Sequence, residues 1–217
     1  MDAIKHENYL NIKYLIQKRD LQAAEDQSPN ARAALRVLLQ SQQPQQANAS
    51  DPKKNVFALA SPEDKTLMFE SRFECGNLYL ASKVSDQEYN LLMQNDINTC
   101  GHTQWFYFRV QNTTAGNTVK FTIINYAKPD SLFNYGMLVS VYSDRRAKEE
   151  QVGWHKECHN IKYFSNGVRK QPENQYSPTY YSLTFSYKFT HDQDTVYFAY
   201  STPYSYTDLR SDLNEIE

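Results

Sequence analysis

"YSLTFSYKF", Tyr181 to Phe189, decides how the chain is read. Tyr181, Leu183, Phe185, Tyr187 and Phe189 fall on every second position, with Ser182, Thr184, Ser186 and Lys188 between them. Successive side chains of a strand point to opposite faces, so this period marks a strand with one face in a core and one toward water. Outward from it, "TQWFYFRVQN" alternates Phe106, Phe108 and Val110 against Trp105, Tyr107 and Arg109, and "NTVKFTIINY" and "DTVYFAYS" repeat the pattern. The breakers "TTAGN", "KPDSLFNYG", "SNG" and "HDQD" separate the runs. Eight or nine short strands with hardly any helix between them predict a mainly β fold, an antiparallel β-sandwich of about nine strands, since parallel crossovers call for helices.

Before residue 65 the apolar period is helical instead. Ile4, Leu10, Ile12, Leu15 and Ile16 form a stripe over residues 3–19, and "SPNARAALRVLLQ" opens with Ser28 as N-cap and Pro29 at the first helical position. The stretch "SQQPQQANASDPKKN" is too polar to bury itself and reads as a linker. The expected organisation is a helical extension of two short helices over 1–40, a linker over 41–55, a sandwich domain over 56–210, and the start of a connection over 211–217.

Composition narrows the function. A formal charge of -2 over 217 residues gives no basic field for nucleic acid, and no apolar run approaches the ~20 residues that span a membrane. "MDAIKHENYLNIKYLIQKRD" lacks the pattern of a secretory leader, so a cytoplasmic location is expected. Cys75, Cys100 and Cys158 are odd in number and far apart, which argues against a disulfide framework and against a cysteine-based zinc module. The 17 tyrosines beside 11 phenylalanines suit strands and large packed surfaces.

Catalytic motifs do not emerge. The chain has no nucleophile elbow, phosphate loop or dinucleotide turn, and His6–Glu7 is followed at the zinc-binding spacing by Leu10. His191 with Asp194 sits in an acidic turn. "GWHKECHN", 153 to 160, is the one local cluster of metal-ligand types: His155, Glu157, Cys158 and His159. A strand would align His155, Glu157 and His159, whereas a helix would bring His155 and His159 one turn apart. They are weak metal candidates, the other reading being a partly exposed strand or loop behind Trp154. Arg145, Arg146 and Lys148 precede this stretch and Arg169 and Lys170 follow it. Converging around Trp154, they would form a docking patch for an acidic peptide; otherwise they are solvated loops.

The order of blocks carries a resemblance. "FESRFECGNLYLA" from Phe69, "HTQWFYFRVQN" from His102, "INYAKPDSLFNYGM" from Ile124, "GWHKECHNIKYFSN" from Gly153 and "YYSLTFSYKFTHDQDTVYFAYSTPYSYTDL" from Tyr180 resemble the amino-terminal domain of the cytosolic carboxypeptidases, over roughly 69 to 209. The resemblance implies a nine-stranded antiparallel sandwich followed by a zinc metallocarboxypeptidase domain that removes glutamates, mainly from tubulin tails. It also implies that the sandwich supports folding of that domain, contacts it and shapes substrate access, with a cytoplasmic, microtubule- or cilium-associated location. The family's zinc ligands and catalytic glutamate have no matching position here. No catalytic residue and no cofactor is therefore expected in this chain, zinc belonging to the missing domain. Pro203, Tyr204, Tyr206 and Asp208 are candidates for the docking edge, or else cap the last strand. The alternatives are a stand-alone module that binds acidic peptides or a cytoskeletal or ciliary complex, and a partner-binding handle made by the two amino-terminal helices.

Overall fold

A computed structural model of the chain describes residues 59, 61, 63–99, 102–170 and 174–216. The two expected helices, the linker and Cys100 lie outside the described residues. Ten strands follow in chain order: β1 (Met68–Glu70), β2 (Leu78–Ser85), β3 (Glu88–Met93), β4 (Tyr107–Gln111), β5 (Thr118–Tyr126), β6 (Val139–Ser143), β7 (His155–Glu157), β8 (His159–Arg169), β9 (Thr179–Lys188) and β10 (Val196–Ala199). Helix α1 (Asp144–Glu149) follows β6, and α2 (Tyr206–Ile216) follows β10. The strands make two five-stranded sheets, ordered β1-β4-β10-β6-β7 and β2-β3-β5-β9-β8, called here the first and second sheet.

The inward residues of the alternating runs pack the sheets face to face. Phe106, Phe108 and Phe198 of the first sheet meet Phe121, Phe185 and Tyr187 of the second, with Phe121–Phe198 and Tyr187–Phe198 centroids both 5.2 Å apart. All six are 0–1 % exposed, so one aromatic core closes the sandwich. On β9 the polar positions Ser182, Thr184 and Ser186 are buried too, because β5 and β8 flank this central strand on both sides.

The mainly β sandwich stands as expected, and the structure refines it in three places. The described residues hold ten strands where about nine were expected, because the chain breaks its run at Cys158, where φ is 82°, so that β7 pairs with β6 and β8 with β9 in the other sheet. The sandwich is not wholly antiparallel: β3 and β5 are parallel neighbours. Their crossover needs no helix, because the chain passes through β4 of the opposite sheet between them. "SNG" does not end a strand; Gly167, at φ 75°, sits in an irregular stretch of the β8–β9 register between Ser165 and Arg169.

Two helices escape the alternation. Ser143 caps α1, its hydroxyl accepting from the Arg146 amide, and Arg145–Glu149 and Arg146–Glu150 pair one turn apart along it. Ser205 and Asp208 form a reciprocal cap at the start of α2: the Ser205 amide donates to Asp208 Oδ2 at 2.7 Å, and the Asp208 amide to Ser205 Oγ at 3.1 Å. The α2 helix runs through the boundary expected at residue 210.

Candidate functional site

"GWHKECHN" is a corner between the sheets. The positive φ of Cys158 turns the chain, so His155 and Glu157 share one side of β7 while His159 lies exposed against Ser186 of β9. His155 Nδ1 donates to the Gly153 carbonyl at 2.9 Å, and its Nε2 lies 2.8 Å from Glu157 Oε2. Arg146 Nη1 comes from α1 to within 3.0 Å of that nitrogen and 3.1 Å of the carboxylate. A guanidinium thus stands where a metal bridging His155 and Glu157 would sit, and its fixed charge opposes a second cation. Cys158 packs against the core instead, and burial, with Glu157 nearby, pushes its thiol well above the usual range. Among the described residues no group of three or more His, Cys, Asp or Glu side chains is placed to hold a metal ion.

The basic residues do not converge. Arg145 and Arg146 lie near the β9–β10 turn, where Arg145 pairs with Glu149 and donates to the Asp192 carbonyl. Arg169 faces Thr179 at the other end of β9, and Lys170 donates to the Ala127 carbonyl beside the Tyr180 ring. A ten-residue strand separates the two groups, about 30 Å at the usual rise. Lys148 is exposed on α1. Burial opposes the Arg146 charge, but hydrogen bonding to Glu150 and the charges of Glu157 and Glu150 outweigh it and raise its pKa further. Both arginines are committed to carboxylates of their own chain, which weakens the case for an acidic-peptide patch.

Trp154 belongs to a different arrangement. Its ring lies 5.5 Å from Tyr142, 5.8 Å from Tyr107 and 6.4 Å from Tyr197, all on the outer face of the first sheet. From the other side Phe73 meets Tyr107 at 4.8 Å and Tyr197 at 5.9 Å. The Arg109 guanidinium lies against Phe73 and Tyr197, and its Nη1 donates to the Tyr197 hydroxyl at 3.2 Å. Trp105 closes the edge, its indole N–H donating to the Cys75 carbonyl at 2.8 Å. All six rings are partly exposed. Sequence reading missed Phe73, Tyr142 and Tyr197 because they come from separate segments; the signal was a tyrosine at an outward position of β4, β6 and β10.

The carboxy-terminal edge gathers the remaining candidates. Tyr204 donates to Asp212 Oδ2 at 2.7 Å, folding back on α2, while Tyr206 stays 68 % exposed. Asp208 is engaged as the cap, and its carboxyl is held below the usual range by the Ser205 hydroxyl and then its amide. Pro203 is half-buried before it. The Thr207 amide donates to Glu74 Oε1 at 3.1 Å, which ties the start of α2 to the loop that carries Phe73 and Cys75.

Comparison with known proteins places this geometry. A family model described as the cytosolic carboxypeptidase N-terminal domain matches residues 69–201. Cytosolic carboxypeptidase 2 of Macaca fascicularis is 47 % identical over 160 residues, 73 % of this chain and 18 % of the relative. Cytosolic carboxypeptidase 3 of Mus musculus is 44 % identical over 153 residues, 70 % of this chain and 15 % of the relative. A solved metallo-carboxypeptidase from Burkholderia cenocepacia aligns with a TM-score of 0.48 at 22 % identity, over 70 % of this chain and 33 % of that one. The chain spans less than a fifth of the length of these two curated relatives.

Proposed function

The chain belongs to the cytosolic carboxypeptidase family, of which it carries the N-terminal domain, and on that premise we propose that it is a non-catalytic docking domain. It supports the folding of a zinc peptidase domain in the same polypeptide, holds that domain in place and shapes access to it. The parent enzyme removes glutamates from tubulin tails in the cytoplasm, at microtubules or cilia. Zinc and the catalytic glutamate belong to the peptidase domain; this chain's residues supply contact surface.

The observation that carries this reading is α2. None of its 11 residues is buried, yet Tyr206, Leu209, Leu213 and Ile216 recur at three- and four-residue spacing and line one side, with Asp208, Asp212 and Glu215 on the other. A helix this short is marginal without a partner for its apolar stripe. It begins at Tyr206, shortly beyond the region that the family model matches, on the side from which a following domain would continue. Burying each leucine would contribute about 1.5–3 kcal/mol to docking.

The test is made in the longer polypeptide that this reading requires. Replacing Leu209 and Leu213 together by Asp is expected to cut soluble yield and glutamate release from a glutamylated tail peptide at least about tenfold, since two buried carboxylates replace two buried leucines. The thermal midpoint of the separate sandwich should hardly move, because Leu209 and Leu213 are 39 % and 52 % exposed there and neither belongs to its core. Unchanged yield and unchanged glutamate release would overturn the proposal.

A further inference from the structure

The outer face of an antiparallel sheet that meets only water reads polar, with apolar residues turned inward. The second sheet approaches that pattern: Lys120, Lys162 and Lys188 stand exposed on its outer side. The first sheet departs from it. Tyr107, Tyr142 and Tyr197 occupy its outward positions, and loops bring Phe73, Trp105 and Trp154 over them. The rings pack edge to face in a second layer that leaves each of them partly open to solvent. A contiguous aromatic surface with polar tips is the composition of an interface core and not of a solvated face.

We infer that this aromatic face of the first sheet is the surface against which the peptidase domain of the same polypeptide packs, with the apolar stripe of α2 continuing it at one edge. The inference rests on the docking reading above and selects the face. Position argues for this occupant over a separate partner. The bond from the Thr207 amide to Glu74 anchors α2 beside Phe73 and Cys75, and the Cys75 carbonyl holds Trp105, so the chain leaves the sandwich along the rim of the aromatic face. The relative from Macaca fascicularis has more than four fifths of its length outside the matched segment, ample chain to cover it. Arg109 lies within the same face, its guanidinium against the Phe73 ring and bonded to the Tyr197 hydroxyl.

Hydroxyl-radical footprinting read residue by residue by mass spectrometry tests the assignment, comparing the 217-residue chain with the longer polypeptide. Oxidation of Trp105, Tyr142 and Trp154 is expected to fall at least about threefold in the longer protein, as water leaves the covered core of an interface. Phe164, 45 % exposed on the second sheet, and Tyr176, 84 % exposed, should oxidise equally in both. Protection of Phe164 instead, or of Tyr204 and Tyr206 alone, would overturn the choice of face and leave docking standing. No protection anywhere would overturn docking as well. Protection that appears in the 217-residue chain as its concentration rises would assign the face to a second copy and overturn the inference.

Discussion

Between about pH 10 and pH 12 the domain is expected to unfold cooperatively, driven by its own tyrosines. Tyr89, Tyr126, Tyr163, Tyr180 and Tyr187 are buried, and desolvation of the phenolate raises the pKa of each. For Tyr89, whose hydroxyl oxygen also accepts from the Leu67 amide, the value is pushed up to about 12. A tyrosine with a raised folded-state value keeps its proton in the folded chain and loses it in the unfolded chain. Its contribution to stability is therefore whole below the unfolded value, about 10, and drains away as pH rises toward the folded one. Each such group costs up to about 1.4 kcal/mol per pH unit in that window, so a few acting together match the whole stability of a domain, about 5–15 kcal/mol. Tyrosinate absorbance followed beside circular dichroism should give two phases. The first phase leaves the sheets intact, and the five buried rings titrate in the second, together with the loss of the sheets. A single smooth titration of all 17 tyrosines with the sheets intact would contradict the packed aromatic core.

Phe121→Ala should be the most damaging single truncation in that core. The Phe121 ring is 0 % exposed and meets Phe198 at 5.2 Å, Phe185 at 5.4 Å and Phe108 at 6.1 Å, while Phe69 and Tyr89 close its remaining sides. These neighbours come from both sheets, so no single strand can shift to fill the hole. Loss of the ring is expected to cost about 3–5 kcal/mol, transfer and cavity together. Urea denaturation measures it as a lower midpoint with unchanged slope. Phe164→Ala, on the exposed outer side of β8, is the matched control and should change stability by about 0.5 kcal/mol or less. Equal effects at the two positions would mean that the sheets do not face each other through Phe121.

What could be read from sequence follows from which interactions are periodic. The inward sets Phe106–Phe108–Val110 and Leu183–Phe185–Tyr187 were visible because alternation is a local property, and all six side chains are buried. The parallel neighbours β3 and β5 were not visible, since their adjacency is set by a path through the other sheet. Nor was the corner at Cys158, where a left-handed backbone on a residue other than glycine leaves no mark in the residue types. The α1 and α2 helices did leave a mark, in the caps Ser143 and Ser205–Asp208, which alternation elsewhere in the chain overshadowed. At the candidate site Trp154 was legible as unusual, but its partners were sought among charges. Its contacts are Tyr107, Tyr142 and Tyr197, residues from three strands that only the folded sheet brings together.

The central claim is that this domain works as part of a longer enzyme, and the mass of the endogenous polypeptide tests it most directly. The protein would be captured from its native cells through the 69–201 region and its intact mass and peptide coverage read by mass spectrometry. The expected product is several times heavier than 25.3 kDa and includes peptides of a peptidase domain downstream of Glu217. A sole product of 25.3 kDa would contradict the claim, since no peptidase domain would then share the chain.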